Sequence, residues 1–126
     1  MPTTELKSVI PILDVRDVET ALRFYVERLG FQVDFRYEED PNNYAGVSRG
    51  GVCLHMQWQH EDHFRNGTAG RLRVRIVVDD PDALFEEYRA KGVFDERTQV
   101  RETAWRTREF GFRDPDGNGL TFYRDL

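Results

Sequence analysis

The chain has 126 residues and a formal net charge of −5, with 39% hydrophobic and 33% charged residues. This length predicts a single domain over residues 1–126, and the acidic balance argues against nucleic-acid binding, which needs a basic surface. The sequence has no apolar run of roughly 18 residues for a membrane span and no signal-peptide pattern, and its single cysteine, Cys53, excludes an intrachain disulfide. We therefore expect a cytoplasmic protein without a membrane or nucleic-acid partner.

The first half of the chain predicts a strand, a helix and three further strands. An apolar run over residues 9–13 is typical of a strand. Asp17 is suited to cap a helix from Val18 to about Arg28, and Gly30 is placed to end it. The three strands that follow are predicted over residues 31–37, 44–49 and 52–58.

The same order of elements recurs after a polar segment, residues 59–70, which is predicted to be a linker. A helix is predicted over residues 83–91, and the strands around it over residues 71–78, 94–101, 108–113 and 119–124. A shift of 63 residues places Tyr25 on Tyr88 and brings the helices of the two halves into register. The sequence thus predicts an α+β fold of two βαβββ modules, residues 5–60 and 71–126.

Alternation along the strands predicts which side chains meet the helices. The set expected on the helix side is Val52, Leu54, Met56, Trp58, Leu72, Val74, Ile76, Leu120 and Phe122. The set expected on the opposite face is Cys53, His55, Gln57, Arg71, Arg73, Arg75, Thr121 and Tyr123. We therefore expect a curved mixed sheet with helices on its outer face and a polar, aromatic trough on the other. Both a ligand site and an oligomer interface are compatible with such a trough.

Two segments carry a family resemblance. The run Ala21-Leu22-Arg23-Phe24-Tyr25 with Leu29-Gly30-Phe31, and the turn Asp114-Pro115-Asp116-Gly117-Asn118, resemble the vicinal-oxygen-chelate superfamily. This superfamily includes glyoxalases, bleomycin-resistance proteins and extradiol dioxygenases. Residues 9–13, 43–47 and 105–110 look most like bleomycin-resistance proteins. The resemblance covers nearly the whole chain.

The resemblance also implies where a metal would be bound. Enzymes of this family hold a divalent metal with four His, Glu or Gln side chains, two from each module. The matching positions here are Ile10, Arg73 and Thr121, with the fourth at or beside His55. Because isoleucine and arginine cannot coordinate a cation, we expect neither a metal nor another cofactor, and no catalytic residues. The cluster His60-Glu61-Asp62-His63 is expected to be a solvated loop rather than a metal site.

The leading hypothesis is a metal-free protein that binds a drug-like or aromatic small molecule, bleomycin-like in the resembling family, and so confers antibiotic resistance by sequestration. The resemblance implies a groove at the interface of a homodimer whose N-terminal strands are exchanged, with Pro11 at the hinge. The predicted ligand-binding residues are Tyr44, His55, Arg73, Trp105, Thr121 and Tyr123.

The charge of the ligand stays open at this point. Asp34 and the acidic run of residues 38–40 would attract a cationic ligand, whereas the arginines of residues 71–75 would attract an anionic one. The alternative function is a lyase or dioxygenase-like enzyme of the same superfamily, with a metal site rebuilt around His55 or with metal-free acid–base chemistry. A third interpretation is a dimeric interaction module.

Overall fold

The computed structural model describes residues 3–126. Met1 and Pro2, which begin the predicted single domain, lie outside the described residues. The first module contains β1 (Ile12–Val15), α1 (Val18–Arg23), a π-helical turn (Phe24–Arg28), β2 (Gln32–Arg36), β3 (Tyr44–Arg49) and β4 (Val52–Trp58). The second contains β5 (Arg73–Val77), α3 (Pro81–Ala90), β6 (Arg101–Glu102), β7 (Thr107–Arg113) and β8 (Gly119–Asp125). A short helix, α2 (Glu61–Arg65), lies between them.

Each module forms its own four-stranded mixed sheet, and the two sheets have the same strand order. The first sheet runs β1–β4–β3–β2 and the second β5–β8–β7–β6. In both, the first strand pairs in parallel with the last strand of the module, and the remaining pairs are antiparallel. The predicted α+β fold of two βαβββ modules is confirmed.

The helix of the first module begins and ends as its sequence predicts. The Asp17 side chain accepts a hydrogen bond from the Thr20 backbone N–H, which satisfies a donor that the first turn leaves free. The last turn is wider than an α-helical turn, since the Leu29 N–H bonds to the Phe24 carbonyl five residues earlier. Gly30 follows with φ of +79°, a conformation that disfavours side chains and ends the helix.

The helix sides of both modules share one hydrophobic core. Its buried members are Leu13, Val15, Val18, Ala21, Leu22, Tyr25, Leu29, Phe31, Ala45, Val47, Leu54, Met56, Ile76, Phe85, Tyr88, Phe110, Leu120 and Phe122. Two buried tyrosines related by the internal repeat cross between modules. The Tyr25 hydroxyl donates to Asp114 Oδ2 at 2.7 Å, and the Tyr88 hydroxyl donates to the Leu29 carbonyl at 2.8 Å.

The Asp-Pro-Asp-Gly-Asn turn between β7 and β8 joins the two modules. Besides Tyr25, the buried Asp114 carboxylate accepts hydrogen bonds from the backbone N–H groups of Asp116 and Asn118 and from the Asn118 side chain. The same Asn118 side-chain nitrogen donates to the Asp14 carbonyl at 2.9 Å. The motif that carries the family resemblance therefore has a structural function in this chain.

Four details of the sequence prediction are wrong. The first strand, expected over residues 9–13, is β1 over Ile12–Val15. The strand expected over residues 94–101 is a turn for most of its length, because Asp95 accepts hydrogen bonds from the Arg97 N–H and the Thr98 N–H. The linker of residues 59–70 contains α2, whose first turn is capped by His60. Trp58, expected in the core, is 44% exposed, since it ends β4 and its ring lies edge-on to His60.

The N-terminal segment lies outside the core. Residues 3–9 are exposed and precede β1 without forming a helix or strand, and Leu6 and Val9 are 95% and 92% exposed. Among residues 3–126, none of the helices has the length and apolar character that a membrane span requires.

Candidate functional site

An aromatic cluster lies on the face of the first sheet that points away from the helices. We name Phe35, Tyr44 and His55 the aromatic platform. The Tyr44 hydroxyl and His55 Nδ1 are 2.8 Å apart, within hydrogen-bond distance. The Phe35 ring stacks on that of Tyr44 with centroids 6.1 Å apart, and it meets the His55 ring edge-on at 5.1 Å. Phe35 is 41% exposed, so the platform offers a flat apolar surface to a ligand.

Two backbone features position the platform. The ladder between β2 and β3 shifts register between Val33 and Phe35, which turns Phe35 toward the exposed face opposite Gly46. A Cβ atom at Gly46 would overlap the Phe35 ring, so only glycine leaves room for the ring at this position. The bulge explains why simple alternation along β2 does not predict this face for Phe35.

A buried carboxylate organises the matching face of the second sheet. Glu109, 6% exposed, accepts three hydrogen bonds on Oε1. The donors are the Thr107 hydroxyl at 2.6 Å, the Trp105 indole N–H at 3.2 Å and the Arg75 guanidinium at 3.3 Å. Burial acts to raise the pKa of Glu109, but the hydrogen bonds from Thr107, Arg75 and Trp105 outweigh it and hold the pKa below its ordinary value. Glu109 is therefore an anion at neutral pH.

The Glu109 carboxylate forms one wall of a groove of about 420 Å³. We name this the arginine groove, and the residues that define it are Arg73, Arg75, Arg97, Arg101, Trp105, Glu109 and Thr121. Trp105 is 60% exposed, with its ring at the groove and its N–H fixed by Glu109. Next to the groove, the Arg75 guanidinium lies 4.2 Å from the centre of the Tyr123 ring, in cation–π contact.

The profile of the Glyoxalase/Bleomycin resistance protein/Dioxygenase superfamily matches residues 10–122 of this chain. The chain belongs to this superfamily. Relatives include the bleomycin resistance proteins of Geobacillus stearothermophilus and Staphylococcus aureus, each 25% identical over 130 residues that cover 93% of this chain and 96% of the relative. The predicted resemblance is thus confirmed.

Solved structures of this superfamily have the same fold. The bleomycin-binding protein of Streptomyces verticillus, crystallised with copper(II)-bleomycin, is 32% identical and has a TM-score of 0.81, covering 98% of this chain and 100% of its own. TioX from Micromonospora sp. ML1 has a TM-score of 0.75 at 20% identity, covering 95% of this chain and 99% of its own. The second likeness shows the fold alone.

The residues of this superfamily member do not fit the metal that the enzymes of the superfamily use. On the first sheet His55 lies between Ile12 and Gly46, and on the second sheet Thr121 lies between Arg75 and Gly111. The strand neighbours of His55 and Thr121 are thus Ile12 and Arg75. The sequence analysis had expected Ile10 and Arg73 at these metal-ligand positions, two residues earlier in each strand. A cation there would meet a hydrocarbon side chain and a guanidinium. Within residues 3–126, no three His, Cys, Asp or Glu side chains lie close enough together to hold a metal ion.

The structure divides the six predicted ligand-binding residues into two groups. Tyr44 and His55 belong to the aromatic platform. The second group lines or adjoins the arginine groove: Arg73, Trp105, Thr121 and Tyr123. No hydrogen bond or ring contact joins the two groups in the described part of the chain. Each group lies on the exposed face of a different sheet.

Sequence reasoning missed Phe35, Glu109 and Arg101 as site residues. The register shift in β2 conceals Phe35. Glu109 had a detectable signal, because alternation from the buried Phe110 places it on the face opposite the core. Arg101 was predicted to end a strand over residues 94–101, but it begins the two-residue strand β6. The turn at Asp95 that precedes β6 sets the position of Arg101, and the sequence did not predict that turn.

The other polar clusters have hydrogen-bond partners within the protein. Around the cluster of residues 60–63, Glu61 accepts a hydrogen bond from Arg16 at 2.7 Å, and His63 lies 3.2 Å from the Thr68 hydroxyl. In the acidic segment, Asp34 accepts a hydrogen bond from Ser48 at 2.9 Å and Glu39 accepts one from Tyr37. Arg16 and Ser48 are distant in sequence from their partners, so two of these contacts join separate segments and the other two are local.

Proposed function

We propose that this chain is a metal-free drug-binding protein that sequesters an aromatic small molecule, as bleomycin-resistance proteins do, and so confers antibiotic resistance from the cytoplasm. The observation that carries the proposal is the exposed aromatic platform. Aromatic rings left in water on a sheet face are suited to stack against planar groups of a ligand. The similarity to a protein crystallised with copper(II)-bleomycin supports the same ligand class.

We propose further that the ligand binds between two copies of the chain. The two sheets of one chain share a core on their helix sides, so their exposed faces do not close on each other. A second chain could place its arginine groove opposite the aromatic platform, and symmetry would make two such sites. The six predicted residues would then form two composite sites, each with Tyr44 and His55 from one chain and Arg73, Trp105, Thr121 and Tyr123 from the other.

The N-terminal segment supports an exchange of strands in that dimer. Leu6 and Val9 are almost fully exposed, and Pro11 precedes β1. The outer edge of β1 is an unpaired sheet edge, which a neighbouring chain can cover. Burying apolar side chains of the segment against a partner would remove their cost in water.

Native mass spectrometry combined with calorimetric titration of metal-free bleomycin tests the proposal. We expect a dimer of the 14.8 kDa chain that carries no stoichiometric transition metal and binds two bleomycin molecules. The Phe35→Ala variant should bind at least tenfold more weakly, a loss of about 1.4 kcal/mol. The matched control is Val26→Ala, which removes an exposed apolar side chain from the helical turn and should not change affinity.

Each part of the proposal has its own contrary result. A monomer at micromolar concentration would contradict the composite site. One equivalent of transition metal that is lost in His55→Ala would favour the alternative enzyme with a rebuilt metal site. A folded protein that shows neither heat nor a complex in the mass spectrum with bleomycin would contradict the proposal that bleomycin-like drugs are its ligands.

A further inference from the structure

The chain concentrates arginine on the exposed face of its second sheet. Arg73 and Arg75 come from β5, and Arg97 and Arg101 come from the segment before β7. The whole chain is acidic, with 23 acidic and 18 basic residues, and its lysines are Lys7 and Lys91. Because acidic residues outnumber basic ones in the chain as a whole, the basic charge of the groove does not follow from the overall composition.

Two of the four groove arginines are neutralised by carboxylates. Arg75 pairs with Glu109 at 3.3 Å, and Arg97 pairs with Asp95 at 2.7 Å outside the groove wall. Within residues 3–126, no carboxylate lies at ion-pair distance from Arg73 or Arg101. Arg101 lies opposite Glu109 in the β6–β7 ladder, but the hydrogen bonds to Glu109 come from Arg75, Trp105 and Thr107 instead. The groove therefore has two uncompensated positive charges.

A planar ring lies in the same groove as these charges. Glu109 holds the Trp105 indole through its N–H and leaves the ring 60% exposed. An arginine side chain presents a flat fork of donors that matches carboxylate, sulfonate or phosphate oxygens. An exposed indole gains contact energy from a flat ring stacked on it. The two features together select a ligand that has both a ring and an anionic group.

We propose that the arginine groove binds the anionic group of a planar aromatic ligand, with Arg73 and Arg101 on the anion and Trp105 on the ring. This inference rests on the proposed small-molecule binding and specifies the chemical class that one half of the site accepts. The groove recognises an aromatic carboxylate, sulfonate or phosphate rather than an aromatic cation, so a cationic drug of the bleomycin type would contact the aromatic platform and not the groove arginines.

A pair of probes with the same ring and opposite charges tests this inference. The probes are 2-naphthoate and 2-naphthylmethylammonium, titrated into the full chain with the Trp58→Phe substitution, which leaves Trp105 as the single tryptophan reporter. We expect naphthoate to quench Trp105 emission and to bind at least tenfold more tightly than the cation. Arg73→Gln and Arg101→Gln should each weaken naphthoate binding about fivefold, and added salt should weaken it further.

The control variant is Arg89→Gln, which removes an exposed positive charge from α3 and is not among the residues that line the groove. Equal affinity for the two probes, or an equal loss in Arg89→Gln, would overturn the anionic assignment. If Arg73→Gln or Arg101→Gln changes the mass of the assembly but not naphthoate affinity, the arginines are contacts between chains and the proposal is wrong. Bleomycin binding without naphthoate binding would overturn this inference alone, whereas loss of both would also contradict the proposed function.

Discussion

The exposed faces of the two sheets have the same backbone plan and opposite chemistry. On the first sheet, Gly46 is opposite His55, and Tyr44 lies two residues before that glycine. On the second sheet, Gly111 is opposite Thr121, and Glu109 lies two residues before that glycine. Tyr44 contributes an aromatic ring to the platform, whereas Glu109 holds an arginine and a tryptophan at a basic groove.

The difference shows that packing constrains the side chains on the helix sides of the sheets, whereas the side chains on the exposed faces are not held by the core. Both helix sides are built from apolar residues, including the repeat-related Tyr25 and Tyr88, because they form one core. The exposed faces contribute little to that core, so their side chains are free to suit a ligand. A ligand that spans an aromatic face and a basic face would contact both kinds of surface.

The largest effect is expected where the two modules are joined, at the repeat-related tyrosines. Tyr25→Phe removes one of the four hydrogen bonds to the buried Asp114 carboxylate, so we expect a loss of about 2 kcal/mol in the free energy of unfolding. Tyr88→Phe removes the hydrogen bond to the Leu29 carbonyl, which keeps its bond from Arg49, and a long hydrogen bond of 3.4 Å from Arg49. It should cost about 1 kcal/mol. Urea denaturation of both variants measures the difference.

Tyr37→Phe is the control, because the Tyr37 hydroxyl bonds to Glu39 on the surface and its loss should change stability by less than about 0.5 kcal/mol. If Tyr88→Phe is the more damaging of the two core variants, the turn at Asp114 does not join the modules as described.

The repetitive part of the fold was predictable from sequence, and the turns were less so. β3 and β4 match their predicted bounds because turn residues flank them, with residues 40–43 before β3 and Gly50-Gly51 between the two strands. Residues 94–101 failed because Phe94 packs on Phe85 and Phe110 while Asp95 bonds to the backbone two residues ahead. That turn depends on contacts distant in sequence, and local alternation does not report them.

The site was only partly predictable, for a similar reason. His55, Arg73, Thr121 and Tyr123 lie on the face that alternation predicts, whereas Tyr44 was proposed from the family resemblance. The partners that organise them depend on a bulge at Phe35 and on the burial of Glu109, both of which arise from tertiary structure. The division of the six residues between two sheets also could not be deduced from alternation, which assigns a face but not the arrangement of modules.

At Trp105 we expect a smaller effect on stability and a clear effect on binding. Trp58, from the other module, is the comparison. Trp105→Ala should reduce 2-naphthoate affinity about tenfold, or about 1.4 kcal/mol, because the ring is exposed at the groove. Its free energy of unfolding should change by no more than about 0.5 kcal/mol. Trp58→Ala should leave affinity unchanged, since its ring contacts His60 instead. Calorimetric titration and thermal melting of each variant provide the two measurements.

The opposite pattern, in which Trp58→Ala weakens binding and Trp105→Ala destabilises the fold by several kcal/mol, would assign Trp105 to the core and contradict the groove.

The smallest expected effect is a pH dependence of the free energy of unfolding, caused by Glu109 on the exposed face of the second sheet. The hydrogen bonds to Glu109 hold its folded pKa below the unfolded value, which is about 4.3 for glutamate. Ionised Glu109 therefore stabilises the fold above that unfolded pKa, and this contribution is lost as the pH falls through the lower folded pKa.

Glu109→Gln should cost about 1 kcal/mol at pH 7, and the difference from wild type should shrink toward pH 3. Urea denaturation at pH 7, 5 and 3 measures it, with Glu86→Gln on the exposed surface as the control, where the difference should stay small at every pH. A difference that grows as the pH falls would mean that folding favours protonated Glu109, and the carboxylate would then no longer account for the positions of Arg75 and Trp105.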